Sequence, residues 1–287
     1  MARYTRIQFP GAIYHITARG SRRHPIFLDD RDRRRWLDIL DRACTRCEFK
    51  VYAYCQMTNH FHLLLETPLG NLDRGMQQLN GGYAQSYNWR HALVGHLLQG
   101  RFHAILVQKE SYLLEVMRYV VLNPVRAGIV PAPEMWNWSS YPTMLGARAC
   151  PRWLDAAWVL RQFDACEETA RTAYRQFVHA GIGGKDPLEH RTSRLVLGDQ
   201  DFVDSLAEKA ERESIRLSLA RRSMHNAQFR LSDWQALGLT RGEAMARAFL
   251  SGAYKMVEIA AFFGVSTKTV SRAVRQYELK RSDADSE

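Results

Sequence analysis

The sequence has no long apolar run and no apolar leader. No stretch of 18 consecutive apolar residues, roughly the minimum for a membrane-spanning helix, occurs among its 287 residues. The opening residues, MARYTRIQFPG, also lack the apolar segment of a secretory signal peptide. These absences argue against a helical membrane protein and against a secreted one. They predict a soluble, intracellular protein with no membrane partner.

Paired cysteines are also lacking. The chain has 5 cysteines, an odd number at irregular spacing, which fits a reducing compartment better than a disulfide framework. Cys44 and Cys47 form one C-x-x-C pair, but no second pair lies at the spacing of a zinc ribbon. We therefore expect free thiols and no structural zinc.

Acidic residues are too few to balance the basic ones. The chain has 40 Lys and Arg against 30 Asp and Glu, a formal net charge of +10 and a pI near 9.6. Residues 1–35 hold nine arginines and three aspartates, and residues 241–281 hold eight Lys or Arg and three glutamates. Such basic ends predict a polyanionic partner, most simply nucleic acid.

Strand and helix patterns alternate over the first half of the chain. The order is strand, helix, strand, strand, helix, strand, helix, which predicts an α+β fold with a ferredoxin-like antiparallel sheet. The strands are expected at 11–20, 49–57, 60–68 and 100–109, and the helices at about 30–47, 72–91 and 111–128. The last helix is expected to close at Asn123–Pro124, because proline cannot donate a backbone hydrogen bond.

The stretch TNHFHLLLETP, residues 58–68, places two histidines on one strand face. Side chains alternate along a strand, so His60 and His62 share a face while Phe61 points to the other. Two imidazoles roughly 7 Å apart along a strand can converge on one cation. A pair of exposed or hydrogen-bonded histidines fits the same spacing, which leaves both readings open.

A second pair of polar residues lies on the last predicted helix. Tyr119 and Asn123 are four residues apart and so share a helical face. Tyr119 is a candidate oxygen nucleophile, and Asn123 offers an amide oxygen to Mg²⁺ or Mn²⁺ beside the two imidazoles. A cation of this kind assists attack on a phosphodiester by withdrawing charge from it. Tyr112 is the rival nucleophile, and an ordinary core or surface role for either tyrosine is the simpler alternative.

The segment 255–278 has the spacing of a helix-turn-helix. Gly264 permits the turn, Ser266 is a plausible N-cap, and Val270 packs the second helix against the first. The expected outward side chains suit a DNA groove and its phosphates, namely Thr267, Lys268, Ser271, Arg272 and Arg275. A plain helical hairpin has similar periodicity. Three domains are predicted, a catalytic one at 1–150, a helical connection at 151–240 and a DNA-binding module at 241–287.

Several segments together resemble a known family. His60-Phe61-His62 resembles the His-hydrophobic-His motif of the HUH single-strand nucleases, and RYVVLNPVRAGIV (118–130) is similar to the single-tyrosine helix of small bacterial HUH transposases. The segments FPGAIYHITARG, YCQMTNHFHLLLETP, VGHLLQGRFHAILV and NWSSY resemble the REP-associated tyrosine transposases, a branch of the insertion-sequence-200-like group. The similarity spans roughly residues 5–145. It departs at GRFHA, where a basic residue is more usual than His103.

The resemblance implies an HUH nuclease fold and a metal-dependent transesterification on single-stranded DNA, with REP-like hairpins as substrates. Tyr119 would attack a phosphodiester, form a 5′-phosphotyrosine link and free a 3′-OH. His60, His62 and Asn123 would bind Mg²⁺ or Mn²⁺, while the C-terminal module would bind duplex DNA. The protein would be bacterial, cytoplasmic and associated with the nucleoid, as a monomer or a homodimer.

Other residues are weaker candidates. His15 in the first strand is read as a satisfied strand histidine rather than a third ligand, and Glu66 as a group that could orient a histidine. Four arginines are candidate DNA contacts, namely Arg19, Arg22, Arg23 and Arg101. Phe102 either stacks on a base or is buried.

Functions of different classes stay open at this point. The first is a DNA strand transferase that uses Tyr119. The second is a catalytically inactive regulator that recognises hairpin and duplex DNA, although a decayed site should have lost a member of the set. The third is a metal-dependent hydrolase that uses water and would remain active after Tyr119→Phe.

Overall fold

The computed structural model describes residues 8–190, 195–206, 231–236, 238–250 and 254–284. The chain forms two compact units, one ending at Ser205 and one beginning at Leu206. The predicted boundaries at 150 and 240 therefore do not coincide with this division. In the part of the chain that is described, no helix is both long and apolar enough to cross a membrane.

The first unit is built on a mostly antiparallel sheet in the order β2-β3-β1-β4-β5. Its strands are β1 (Ala12–Arg19), β2 (Lys50–Gln56), β3 (His60–Thr67), β4 (His103–Val107) and β5 (Val196–Leu197). The first four strands have antiparallel neighbours and the ferredoxin-like order, which confirms the predicted fold class. The short strand β5 joins β4 in parallel and was not predicted.

Helices cover both faces of this sheet. They are α1 (Asp30–Cys47), α2 (Leu72–Arg90), α3 (Lys109–Arg126), α4 (Tyr141–Met144), α5 (Ala156–Arg161) and α6 (Glu167–His179), and residues 200–206 are also helical. Short 3₁₀ turns lie at Ser21–Arg23, Pro133–Met135 and Pro187–His190. The helix α1 begins where the Asp29 side chain accepts hydrogen bonds from the backbone N–H groups of Arg31 and Asp32.

The alternation of β3 separates the two faces of the sheet. Phe61 is fully buried, and its ring lies 4.7 Å from that of Trp36 on α1. His62 points the other way, and its ring centroid lies 5.8 Å from that of Tyr119 on α3. The side of the sheet covered by α1 is therefore an apolar core, while the side covered by α3 carries the reactive groups.

The helix α3 continues past the predicted stop at Asn123–Pro124 and ends at Arg126. Pro124 has no backbone N–H, so the carbonyl of Val120 loses its usual intrahelical donor. The side-chain amide nitrogen of Asn123 lies 3.5 Å from that carbonyl oxygen and donates to the carbonyl of Tyr119 at 2.8 Å. The predicted range 111–128 is close to the observed helix, but the predicted closure at Asn123–Pro124 was wrong because a side chain compensates locally for the proline.

Residues beyond 150 complete the first unit. The Val51 N–H donates to the carbonyl of Trp153 at 3.0 Å, and the Asp155 N–H donates to the carbonyl of Val51 at 2.8 Å. The Leu106 N–H of β4 donates to the carbonyl of Leu195 at 2.8 Å. The first unit therefore extends beyond the predicted boundary at residue 150, because later residues form hydrogen bonds with both edges of the four-stranded sheet.

The second unit contains α7 (Leu231–Ala236), α8 (Arg241–Leu250), α9 (Met256–Phe263) and α10 (Thr267–Ala284). Its core comes from three of these helices and includes Met245, Ile259, Phe263, Val270 and Val274. A unit of this size is stabilised chiefly by such apolar burial.

The turn between α9 and α10 has the local structure that the sequence predicts. Gly264 adopts a left-handed conformation with φ of 61°, and the Ser266 hydroxyl accepts a hydrogen bond from the Thr269 N–H at 3.2 Å. Val270 is fully buried. The five predicted outward residues are all exposed, namely Thr267, Lys268, Ser271, Arg272 and Arg275.

Candidate active site

A cavity of about 490 Å³ lies on the α3 side of the sheet in the first unit. Its lining brings together six residues predicted from the sequence, Arg19, His60, His62, Arg101, Tyr119 and Asn123. These residues come from β1, β3, the loop before β4, and α3. The antiparallel pairing of β1 with β3 sets Arg19 opposite His60 and Thr17 opposite His62, so both strands supply side chains to the cavity.

The histidines form a connected row. His60 Nε2 and His62 Nε2 are 3.1 Å apart, and His62 Nδ1 is 3.0 Å from Nε2 of His15. At the other end, His60 Nδ1 is 2.7 Å from the side-chain oxygen of Asn59, which accepts its proton. The rings of His15 and His62 are stacked with an interplanar angle of 6°. Each imidazole is thus fixed in orientation by a neighbour.

Burial favours the neutral form of the His60 and His62 imidazoles. Desolvation, with a further contribution from Arg19, lowers the pKa of His60 to about 4. The pKa of His62 lies well below its usual value, first because of burial and then because of His15, His60 and Arg19. A neutral imidazole offers a nitrogen lone pair, which is the state that a metal ion requires.

The spacing of the two Nε2 atoms suits a shared cation. Two nitrogen ligands about 2.1 Å from one metal and about 90° apart are separated by about 3 Å. The Nε2 atoms of His60 and His62 are 3.1 Å apart. Across the described residues, no group of three or more His, Cys, Asp or Glu could hold a metal ion. A third protein ligand could come from an amide side chain, and those of Gln99 and Asn123 both line the cavity.

Asn123 is oriented in a way that leaves its oxygen for that purpose. Its side-chain nitrogen donates to the backbone carbonyl of Tyr119. A carbonyl can only accept, so the amide group must present nitrogen to the helix. The oxygen is the atom that remains to bind a cation. The missing backbone N–H of Pro124 and the orientation of the Asn123 amide are thus connected.

Tyr119 lies against the histidine row, and Tyr112 does not. The ring of Tyr119 is 5.8 Å from the rings of both His15 and His62, at 88° and 82°. Tyr112 lines a separate cavity beside Lys185. The geometry therefore favours Tyr119 over its rival as the nucleophile.

His15 and Glu66 have different roles from those of metal ligands. His15 is buried, and its Nε2 atom lies 3.0 Å from Nδ1 of His62. Glu66 accepts hydrogen bonds from Tyr52 Oη at 2.5 Å and from Lys109 Nζ at 3.3 Å. The suggestion that Glu66 orients a histidine was wrong, because four residues along β3 separate it from His62 by about 13 Å.

The arginine candidates divide into two groups. Arg19 and Arg101 are exposed and line the cavity. Arg22 and Arg23 are exposed in the turn after β1, with φ of 53° and 62°. Phe102 is only 8% exposed, so it packs in the protein and has no free face for a base.

Residues that the sequence reading missed also reach this region. Leu188 lines the cavity although it lies far beyond Asn123, the last residue of the predicted catalytic and metal-binding set. Arg126 places its guanidinium carbon 5.4 Å from the ring centroid of Tyr119. Arg126 stands seven residues after Tyr119, and that helical spacing was the signal that could have identified it.

Comparison with known proteins finds several matches to transposases. Residues 8–123 match the family model for IS200-like transposases. A curated Haemophilus influenzae protein, named as a REP-associated tyrosine transposase, is 24% identical over 178 residues, which cover 53% of this chain and 92% of that protein. A solved REP-associated tyrosine transposase bound to a REP hairpin gives a TM-score of 0.45 at 16% identity, covering 53% of this chain and 89% of that one. A solved Deinococcus radiodurans protein, titled as a transposase, gives a TM-score of 0.31 at 20% identity. This match covers 42% of this chain and 95% of that one.

Proposed function

We propose that this chain, whose residues 8–123 match the family model for IS200-like transposases, cleaves and rejoins single-stranded DNA through Tyr119. The observation that carries the proposal is the meeting of His60, His62, Tyr119 and Asn123 at one cavity. A nucleophile, two neutral imidazoles and an amide oxygen are the set that phosphodiester transesterification needs.

In the proposed reaction the Tyr119 oxygen loses its proton and attacks the scissile phosphorus. A new bond forms between the tyrosine oxygen and phosphorus, and the bond from phosphorus to the 3′-oxygen breaks. The departing oxygen takes up a proton and becomes a free 3′-OH, while the 5′-phosphate stays on the tyrosine. Attack of a 3′-OH on this phosphotyrosine reverses the step and rejoins DNA.

His60, His62 and Asn123 would hold Mg²⁺ or Mn²⁺, which would supply positive charge to the scissile phosphate. The residues of the chain do the rest. His15 and Asn59 fix the imidazoles of β3 in orientation. Arg19 and Arg101 add positive charge at the cavity and attract the DNA backbone.

The proposed substrate is a single-stranded DNA hairpin of the REP kind. The name of the Haemophilus influenzae relative supports this choice. Duplex DNA would bind separately, through the exposed basic side of α10, with Lys268, Arg272 and Arg275 toward the phosphates. The first unit would then act on single strands and the second unit would bind duplex.

The decisive experiment incubates the protein with Mn²⁺ and labelled single-stranded hairpin oligonucleotides and looks for a denaturant-resistant adduct. Tyr119→Phe should abolish the adduct and keep hairpin binding, because only the nucleophilic oxygen is removed. Tyr112→Phe is the matched control and should form the adduct normally. An adduct that persists in Tyr119→Phe and disappears in Tyr112→Phe would show that Tyr112, not Tyr119, is the nucleophile.

Two other functions give different results in this experiment. A regulator without catalysis binds the hairpin and forms no adduct in the wild-type protein. A hydrolase that uses water cleaves the hairpin in Tyr119→Phe as well. The intact set of His60, His62, Tyr119 and Asn123 favours the strand transferase over both.

A further inference from the structure

Arg126 contacts the proposed nucleophile from two helical turns further along α3. Its guanidinium carbon lies 5.4 Å from the centre of the Tyr119 ring, within the range of a cation–π contact. Its Nη1 atom donates a hydrogen bond to the carbonyl of Gly184 at 2.8 Å. An exposed arginine normally samples many rotamers. The guanidinium of Arg126 is instead held by two partners, the ring of Tyr119 and the carbonyl of Gly184.

The acceptor Gly184 belongs to the segment 181–188, which lies outside residues 8–123, the range that the family model matches. Gly183 has φ of 76°, and the Gly184 N–H donates to the carbonyl of Gly181 at 3.1 Å, so the segment is a tight turn. At its end Leu188 is 9% exposed and lines the histidine cavity.

A second arginine of α3 holds the neighbouring helix beside this segment. Arg118 donates to the carbonyl of Phe177 at 3.3 Å and stacks its guanidinium 4.4 Å from the ring of that residue. Gly181 approaches Arg118 so closely that a Cβ atom there would lie 2.6 Å from the arginine Cδ. The segment 181–188 is therefore packed against the same helix that carries Tyr119.

We propose that Arg126 is a positioning residue for Tyr119 and that the segment 181–188 holds it in place. The proposal rests on the proposed function, since it takes Tyr119 as the nucleophile. The ring of Tyr119 contacts His15, His62 and Arg126, and the guanidinium restricts its rotation toward solvent. A nucleophile that is misplaced by about 1 Å can lose up to about a hundredfold in rate.

A different role for the same arginine is to bind a DNA phosphate. A small cavity of about 80 Å³ beside Tyr119 is lined by Arg126 and by the exposed Lys185, and both are cationic. A phosphate-binding role predicts that either replacement weakens hairpin affinity. A positioning role predicts that Arg126→Ala forms the adduct more slowly at saturating hairpin while its hairpin affinity is unchanged. It also predicts that Lys185→Ala changes neither the rate nor the affinity.

The experiment compares the wild type with Arg126→Ala, Arg126→Lys and Lys185→Ala in the full chain. Hairpin affinity is measured without turnover, and the rate of adduct formation is measured at saturating hairpin with Mn²⁺. We expect Arg126→Ala to bind within about twofold of the wild type and to react at least about tenfold more slowly. Guanidinium ion added to Arg126→Ala should restore part of the rate, and Arg126→Lys should fall between.

A second pair of variants tests the segment itself. Gly183→Val is strained at a positive φ and should reproduce the slower adduct formation, whereas Gly183→Asn tolerates that conformation and should react normally. The melting temperature of each variant is also measured. A value within a few degrees of the wild type excludes general unfolding as the cause of slower adduct formation.

The possible outcomes are distinguishable. A wild-type protein that forms no adduct overturns the proposed function, and this proposal with it. A wild-type protein that forms the adduct while Arg126→Ala reacts at the same rate overturns only the positioning role. Weaker binding in both Arg126→Ala and Lys185→Ala, with an unchanged rate at saturation, assigns Arg126 to the DNA backbone instead.

Discussion

At the scale of single residues, the imidazoles of His60 and His62 are the proposed metal ligands that water can replace least readily. Each would supply one of only three protein ligands, and water cannot replace an imidazole as readily as it replaces an amide oxygen. We expect His60→Ala or His62→Ala to abolish adduct formation and the response to Mn²⁺, and Asn123→Ala to be milder. The measurement is adduct yield across a Mn²⁺ titration, with the exposed His96→Ala as the control. Full activity in the His60→Ala, His62→Ala double variant would end the metal proposal.

His15 should behave differently from its neighbours, because it contacts the imidazole of His62 and the ring of Tyr119 and is not one of the proposed metal ligands. Loss of an outer partner of a metal ligand typically weakens metal affinity by about ten- to a hundredfold. We expect His15→Ala to need correspondingly more Mn²⁺ for half-maximal adduct and to reach a near-normal rate once saturated. If no Mn²⁺ concentration restores the rate, His15 has a direct part in the chemistry.

The residues of the site differ in how far the sequence could predict them. His60, His62, Tyr119 and Asn123 follow from strand alternation, helical spacing and a family resemblance, all of which are local in the chain. The seven-residue spacing of Arg126 from Tyr119 could have indicated their contact, but the hydrogen bond that holds Arg126 and the approach of Leu188 to the cavity could not be predicted from local patterns. The partner of Arg126 is a backbone carbonyl 58 residues later, and a carbonyl carries no sequence signature.

At the scale of elements, α1 shows how one face of the sheet supports the other. Trp36 is fully buried and packs on Phe61, whose neighbours in β3 are the two histidines. Truncation of a buried tryptophan removes about 3–5 kcal/mol from the free energy of unfolding. We expect Trp36→Ala to cost about this much in denaturant unfolding, while Trp89→Ala, 84% exposed, should be nearly neutral. Equal losses in the two variants would contradict the burial.

The helix α10 is the element whose proposed role is electrostatic. Lys268, Arg272 and Arg275 are all exposed, and each phosphate contact contributes roughly 0.9 to the slope of log affinity against log salt. Their joint replacement by alanine should weaken duplex binding and reduce that slope by up to about 2.7. The matched control replaces three exposed cations of the first unit, Arg42, Arg46 and Lys50. An unchanged slope in the α10 variant would leave that helix as a packing element.

The elements themselves were largely predictable, and the exceptions have a common cause. Strand alternation and helical periodicity gave four strands and three helices close to their final bounds. The two residues of β5 and the continuation of α3 past Pro124 were missed. Both depend on tertiary partners, the edge of β4 in one case and the Asn123 side chain in the other. Local patterns carry no information about such partners.

At the scale of the whole molecule, the two compact units suggest where the chain can be cut. The first unit ends at Ser205 and contains the histidine cavity, the segment 181–188 and the edge strand β5. A chain ending at Ser205 should therefore still form the hairpin adduct, while it should lose the duplex binding assigned to α10. Adduct yield and duplex affinity are measured on the same preparation.

A chain ending at residue 150 should behave very differently. It keeps His60, His62, Tyr119 and Asn123. It loses the backbone hydrogen bonds that Trp153 makes to β2 and that Leu195 makes to β4. Unpaired edges and the exposed apolar faces beneath them should lower the unfolding temperature and favour association. The cut also removes Gly184 and Leu188 from the surroundings of Tyr119. We expect hairpin adduct from the longer fragment and little or none from the shorter. Equal adduct formation by both would mean that the catalytic machinery needs nothing beyond residue 150.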